Sequence, residues 1–148
     1  MTRFNRRFTA LLWMILIVLV MVLWSLFISG PNRIKEEQER IVTEKIEKKV
    51  KDIKGLSMHM FDYKTYQGYT EDKLYWFDAK GKVITTRKME ELDYDKASQV
   101  AKEDVKVSTS SIYLGYGYDN PCYVIEGKDR LILIDFDTYV KVFERELR

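Results

Sequence analysis

Asp72-Lys73-Leu74-Tyr75-Trp76-Phe77-Asp78 is a short apolar run closed at each end by an aspartate. The same order of residue types returns as Asp129-Arg130-Leu131-Ile132-Leu133-Ile134-Asp135: acid, base, leucine, three apolar positions, acid. Both read as strands, being brief, apolar and bounded by turn residues. The offset of 57 residues also pairs Val83 with Val140 and brings a second predicted helix onto the middle of the first. A helix followed by a meander, occurring twice, reads as duplication of one α+β module. Segments 74–78 and 131–135 are then equivalent central strands, with Leu74 and Leu131 buried in each.

Working outward, Leu74–Phe77 enters a hairpin, Asp78-Ala79-Lys80-Gly81 turns it, and Val83–Thr86 leaves, with Gly81 supplying the positive φ such loops need. Upstream, Leu56, Met58 and Met60 alternate with Ser57 and His59, a half-buried strand that puts His59 on the solvated face. Tyr63 to Tyr69 reads as a turn-rich stretch. Before it, residues 33–54 form an amphipathic helix with Ile34, Ile41, Val42, Ile46, Val50 and Ile53 on one stripe and Gly55 as its C-terminal cap. That helix is expected to pack on its own sheet rather than in a coiled coil, since the stripe lacks leucine at seam positions. Downstream, Asp93 caps a second helix running through Asp104, with Tyr94, Ala97, Val100 and Ala101 on one side. Ile112, Leu114, Tyr116 and Tyr118 then point inward, alternating with Tyr113, Gly115 and Gly117. The two glycines leave one face bare, which calls for tight curvature or a close backbone approach. Asn120-Pro121 turns the chain into Cys122–Ile125, followed by Leu131–Phe136 and Tyr139–Phe143.

Ahead of all this lies Ala10–Ile28, nineteen positions with nothing more polar than Ser25. At ~1.5 Å per residue such a helix matches the ~30 Å hydrocarbon layer of a bilayer. Trp13 and Trp24 fall near its ends, where indole rings prefer the headgroup boundary. A cleaved signal would have a shorter apolar core and small residues at its exit, where this chain has Ile28. The span is therefore expected to stay as an anchor, and no cysteine follows it to accept a lipid. Arg3, Arg6 and Arg7 precede it without any acid, whereas Arg33, Lys35, Arg40 and Lys45 are mixed with Glu36, Glu37, Glu39 and Glu44. That asymmetry places the N-terminus in the cytoplasm and the rest outside. The chain divides into a cytoplasmic tail (1–9), a transmembrane helix (10–29), a first α+β unit (33–90) and a second (91–148).

The whole chain is formally +2, but residues 1–30 hold three arginines and no acid, leaving 22 basic against 23 acidic groups beyond them. A near-neutral domain without a basic block excludes nucleic acid as a partner. The single cysteine, Cys122, cannot form an internal disulfide and reads as buried and inert. Asp78 and Asp135 stand at turn entries, where aspartate bonds the local backbone. Ser108, Ser110 and Ser111 have no partner base, and His59 is the lone histidine, so neither nucleophilic catalysis nor a metal centre can be assembled. No phosphate loop or other catalytic motif occurs. No enzyme, cofactor or small-molecule substrate is expected. Ten tyrosines are the compositional oddity. Tyrosine gives large contact area at low entropy cost, so Tyr63, Tyr66 and Tyr69, in the turn-rich stretch, are the candidate partner contacts.

The stretch Leu74–Arg87 followed by Leu92-Asp93-Tyr94-Asp95-Lys96-Ala97 resembles the TseB-like cell wall elongation regulators of Gram-positive bacteria. So does the end of the chain, Ile112–Leu114 through Tyr123-Val124-Ile125 to Leu131–Glu144. The resemblance covers most of residues 36–147. It implies an α+β fold of two tandem PepSY/cystatin-like units, each a helix on a curved antiparallel sheet. It also implies a non-catalytic protein that regulates cell wall elongation, and so peptidoglycan synthesis, by binding a penicillin-binding-class transpeptidase outside the cell. It carries no catalytic residues. Asn120-Pro121-Cys122 is shorter and stiffer than the usual turn there. The alternative, of another class, is a PepSY-like inhibitor or chaperone of a secreted protease.

Overall fold

The computed structural model describes residues 6–103, 106 and 108–147. Helix α1 (Arg6–Trp24) leads through a π-helical turn at Ser25–Ser29 into helix α2 (Gly30–Lys49). The sequence reading broke the helix before Arg33; the chain instead stays helical. Pro31 has no N–H to donate to a carbonyl one turn back. Widening the preceding turn to π geometry absorbs the defect without ending the helix. Phe8–Phe27 is long and apolar enough to cross a membrane, and none of it is buried within the protein. Trp13 and Trp24 are both exposed on it. Residues 1–5, with Arg3 and much of the expected tail, lie outside the described residues.

A compact unit begins at Val42. Strands β1 (Lys54–Met60), β2 (Lys64–Tyr69), β3 (Lys73–Phe77) and β4 (Val83–Lys88) form one antiparallel meander. A short 3₁₀ turn (Met89–Glu91) and helix α3 (Tyr94–Glu103) lead to the second meander. Its strands are β5 (Ser111–Gly117), β6 (Asn120–Glu126), β7 (Arg130–Asp135) and β8 (Lys141–Glu146). The fold is thus a mixed one, with an N-terminal apolar helix and two antiparallel four-stranded sheets.

Strand registers in the two sheets coincide. Tyr66 pairs with Phe77 and Tyr69 with Leu74; 57 residues on, Tyr123 pairs with Ile134 and Glu126 with Leu131. Each third strand then meets its fourth across an irregularity at the same place, between Trp76 and Phe77 and between Leu133 and Ile134. Past that point the offset becomes 58: Val83 corresponds to Lys141, not Val140, because the second turn is one residue longer.

Several expected boundaries move. Helix α2 ends at Lys49 rather than 54, and Asp52 takes the left-handed conformation (φ 60°) that stops it. Gly55 (φ 61°) is no cap but lies in β1, where the ladder to β2 is irregular between Lys54 and Ser57. The stretch 64–69 is strand β2, not a turn. Tyr118 and Asp119, both with positive φ, make the β5–β6 turn, so Asn120 and Pro121 already belong to β6. The second helix is described as far as Glu103; Asp104 lies outside the described residues.

Packing follows the face alternation. Val42 and Ile46 of α2, with Val50 and Ile53, cover one face of the first sheet at Tyr66, Phe77 and Tyr75. Ile34 and Ile41 stay exposed, so the apolar stripe is buried only from Val42 onward. The other face presents Leu74 and Trp76 to the core formed by Ala97 and Ala101 of α3 with Tyr123, Ile125, Ile132 and Ile134. Alanines at those two positions let α3 lie close to its sheet. The far face of the second sheet buries Cys122, Val124 and Leu133 under Phe61, Tyr113 and Phe143. Leu131 is only partly buried there. Leu74→Ala should therefore cost about 2–5 kcal/mol, as fully buried leucines do, and Leu131→Ala less than half as much. Equal losses in denaturant unfolding would mean that the two faces are covered alike.

Candidate contact surface

The two sheets meet where β5 lies against the first sheet. Trp76 Nε1 donates to the Gly115 carbonyl at 2.9 Å, anchoring β3 to β5. The bare face that Gly115 and Gly117 create is filled from the other sheet. A Cβ on Gly115 would stand 2.8 Å from His59 Nε2, and one on Gly117 2.9 Å from Phe61 Cδ1. His59 is thus not on a solvated face: it is half-buried, with its ring edge-on to Tyr113 at 5.4 Å. Met58 and Met60, expected inside, are exposed instead.

Burial lowers the His59 pKa, with the Glu126 charge opposing it weakly. The neutral ring is the form this seam accepts. The unfolded chain therefore binds a proton more readily than the folded one, and stability must fall on acidification through the His59 range. The His59 contribution is complete above the ordinary histidine value and lost as pH drops past the folded one. His59→Gln should flatten the pH dependence of the urea midpoint between about pH 5 and 7. An unchanged slope would mean that the seam tolerates the imidazolium.

A polar network pins the outer strand of the first sheet to the second. Arg87 on β4 donates from Nε and Nη2 to the two oxygens of Asp137, each at 2.8 Å. Asn120 Nδ2 donates to Asp137 and Asp135 at 2.9 and 2.7 Å and accepts from Arg87 at 3.2 Å. The Arg87 hydrogen bond holds the Asp137 carboxyl below its ordinary value. Asp135 Oδ1 also accepts from the Asp137 and Thr138 amides, and Asp78 Oδ1 from those of Lys80 and Lys82. Both aspartates do the work of turn residues. Cys122 is buried, and burial pushes its thiol up to about 12.

The three candidate tyrosines separate. Tyr66, expected at the surface, is 3% exposed and packed beneath α2, so it offers a partner no contact. Tyr63 (43%) and Tyr69 (40%) are exposed but lie at opposite ends of β2, about 20 Å apart at strand spacing. Tyr69 borders a cleft of about 280 Å³ between the two sheets, with Gln67, Leu74, Met89, Tyr94 and Leu114. Tyr63 packs against the second sheet instead. Its ring centroid is 6.1 Å from that of Tyr116, while Phe61 contacts Phe143 at 4.8 Å and Tyr118 at 5.8 Å. Tyr116 is buried as expected, but Tyr118 is 52% exposed, because its strand ends one residue earlier. Burial raises the Tyr116 phenol to about 12. Among the described residues no group of three or more His, Cys, Asp or Glu is placed to hold a metal ion.

No family profile and no curated protein matches the chain. A solved structure of a candidate lipoprotein from Clostridium difficile 630 is similar at 20% identity, covering 71% of this chain and 90% of that one, with a TM-score of 0.35. So loose a superposition leaves both fold and function to be argued from this chain's own residues.

Proposed function

We propose that this chain is a single-pass membrane protein whose external domain regulates cell wall elongation by binding a penicillin-binding-class transpeptidase. The domain is read as two tandem PepSY/cystatin-like units, a reading supported by the matched registers of the two meanders. Phe8–Phe27 serves as a retained anchor with Trp13 and Trp24 at its interfaces, and the arginines before it keep the N-terminus cytoplasmic. The observation that carries the functional reading is the pair of tyrosines, Tyr63 and Tyr118, exposed on the surface of the domain. Binding is what such a surface can do. Only residues 28–41 part the span from the folded unit, so the partner is one held at the same membrane. Deleting the protein should alter cell length or sensitivity to wall-active antibiotics. The full-length chain should restore both, and the same domain secreted without α1 should not. Full rescue by the anchorless form would end the tethering argument.

A further inference from the structure

We infer that the β1–β2 hairpin tip and the β5–β6 turn together form a docking patch for a basic segment of a partner protein, one presenting arginine or lysine side chains. The inference rests on the reading that this domain acts by binding, and names the surface and the partner's chemistry. Met60 (62% exposed), Asp62 and Tyr63 come from the first tip, and Tyr118 and Asp119 from the second. The Tyr118 amide reaches Asp62 Oδ2 at 3.5 Å, so the tips of two sheets make one surface. Phe61 and Phe143 support it from beneath: both pack against the Tyr118 ring, at 5.8 and 6.2 Å.

Two features call for an occupant. Tyr118 and Asp119 both adopt positive φ, 54° and 58°, in a two-residue hairpin turn where asparagine and glycine are the unstrained choice. A bulky ring held there costs the fold free energy, and Tyr118 recovers little of it by burial because it is half exposed. A strained, rigidly mounted, exposed aromatic is better explained by an external contact than by the fold. The second feature is charge. Asp62 and Asp119 are exposed within the patch, and tyrosine faces are themselves electron-rich. The nearby guanidinium is committed: Arg87 bonds Asp137 and Asn120. Carboxylates beside open tyrosine rings are complementary to a guanidinium or ammonium, which meets both at once.

The test places a photo-crosslinking benzoylphenylalanine at position 118 of the full-length chain in its native membrane, with position 83, exposed on β4, as control. The adduct at 118 should map to a basic stretch of its partner. It should fall roughly fivefold in Asp62→Asn/Asp119→Asn, as loss of two exposed charge contacts entails, and fall again at raised salt. Asparagine suits the positive φ at 119 and keeps an oxygen for the Tyr118 amide at 62, so folding is preserved. Tyr118→Gly, which relieves the positive φ, should leave the domain folded yet remove the partner from co-isolates. An adduct at 118 no stronger than at 83, or one indifferent to both carboxylates, overturns the patch. A transpeptidase recovered through other positions while 118 stays silent overturns the patch and leaves the functional reading standing. A charge-dependent adduct at 118 with a basic segment of another protein does the reverse.

Discussion

Replacing Trp76 with alanine is expected to unfold both sheets together and to cost about 3–5 kcal/mol, the range for deleting a buried indole. Trp76 is fully buried on the face of the first sheet that forms the core of the second, edge-on to Phe136 at 5.9 Å. Its removal also strips the Gly115 carbonyl of a side-chain donor. Against a typical total of ~5–15 kcal/mol, this one change consumes much of the domain's stability. Trp76→Phe, which fills most of the space but lacks the N–H, should fall between the two. Hydrogen exchange checks the claim: β6 and β7 should lose protection along with β3. If the second sheet kept its protection in Trp76→Ala, the two units would be independent and the shared core an overstatement.

The glycines of β5 give the other large effect, with a built-in control. An added Cβ at 115 meets His59 Nε2 at 2.8 Å and Val124 Cγ2 at 2.7 Å; at 117 it meets Phe61 Cδ1 at 2.9 Å and Leu133 Cδ2 at 3.0 Å. Gly115→Ala and Gly117→Ala should each destabilise by about 1–3 kcal/mol through overpacking. The crowding differs, so the rescues should differ. His59→Ala should recover part of the loss from Gly115→Ala but none from Gly117→Ala, and Phe61→Ala the converse. Equal rescue of both by either change would mean that the seam yields as a whole.

The repeat was legible because strands with a period of two, closed by aspartates that cap their own turns, leave a pattern that survives in one dimension. Gly115 and Gly117 likewise announced a close approach, though not that His59 and Phe61 would make it. His59 does stand opposite Leu56 on β1, but the face expected to be solvated is covered by the second sheet, which no local pattern reveals. Tyr66 was misplaced because Lys64–Tyr69, rich in tyrosine and broken by Gly68, reads as a turn. The strand carries glycine at 68 because a Cβ there would meet Ile53 and Leu56. Tyr118 kept the alternation one residue past the end of its strand, into a turn whose positive φ no tyrosine signals. The Arg87–Asp137 pair spans 50 residues and leaves no trace in spacing. The aromatic surface at the two tips, built from residues on different sheets, was half visible at Tyr63 alone.

The central claim is that this domain works by holding a wall-building enzyme at the membrane. Its most direct test is crosslinking of the full-length protein in intact cells, followed by isolation from membranes and identification of what is covalently attached. The account predicts a penicillin-binding-class transpeptidase, in yields that drop when Tyr63 and Tyr118 are both replaced by serine while the domain stays folded. Recovery of a secreted protease as the sole specific partner would contradict it and put an inhibitor or chaperone role in its place.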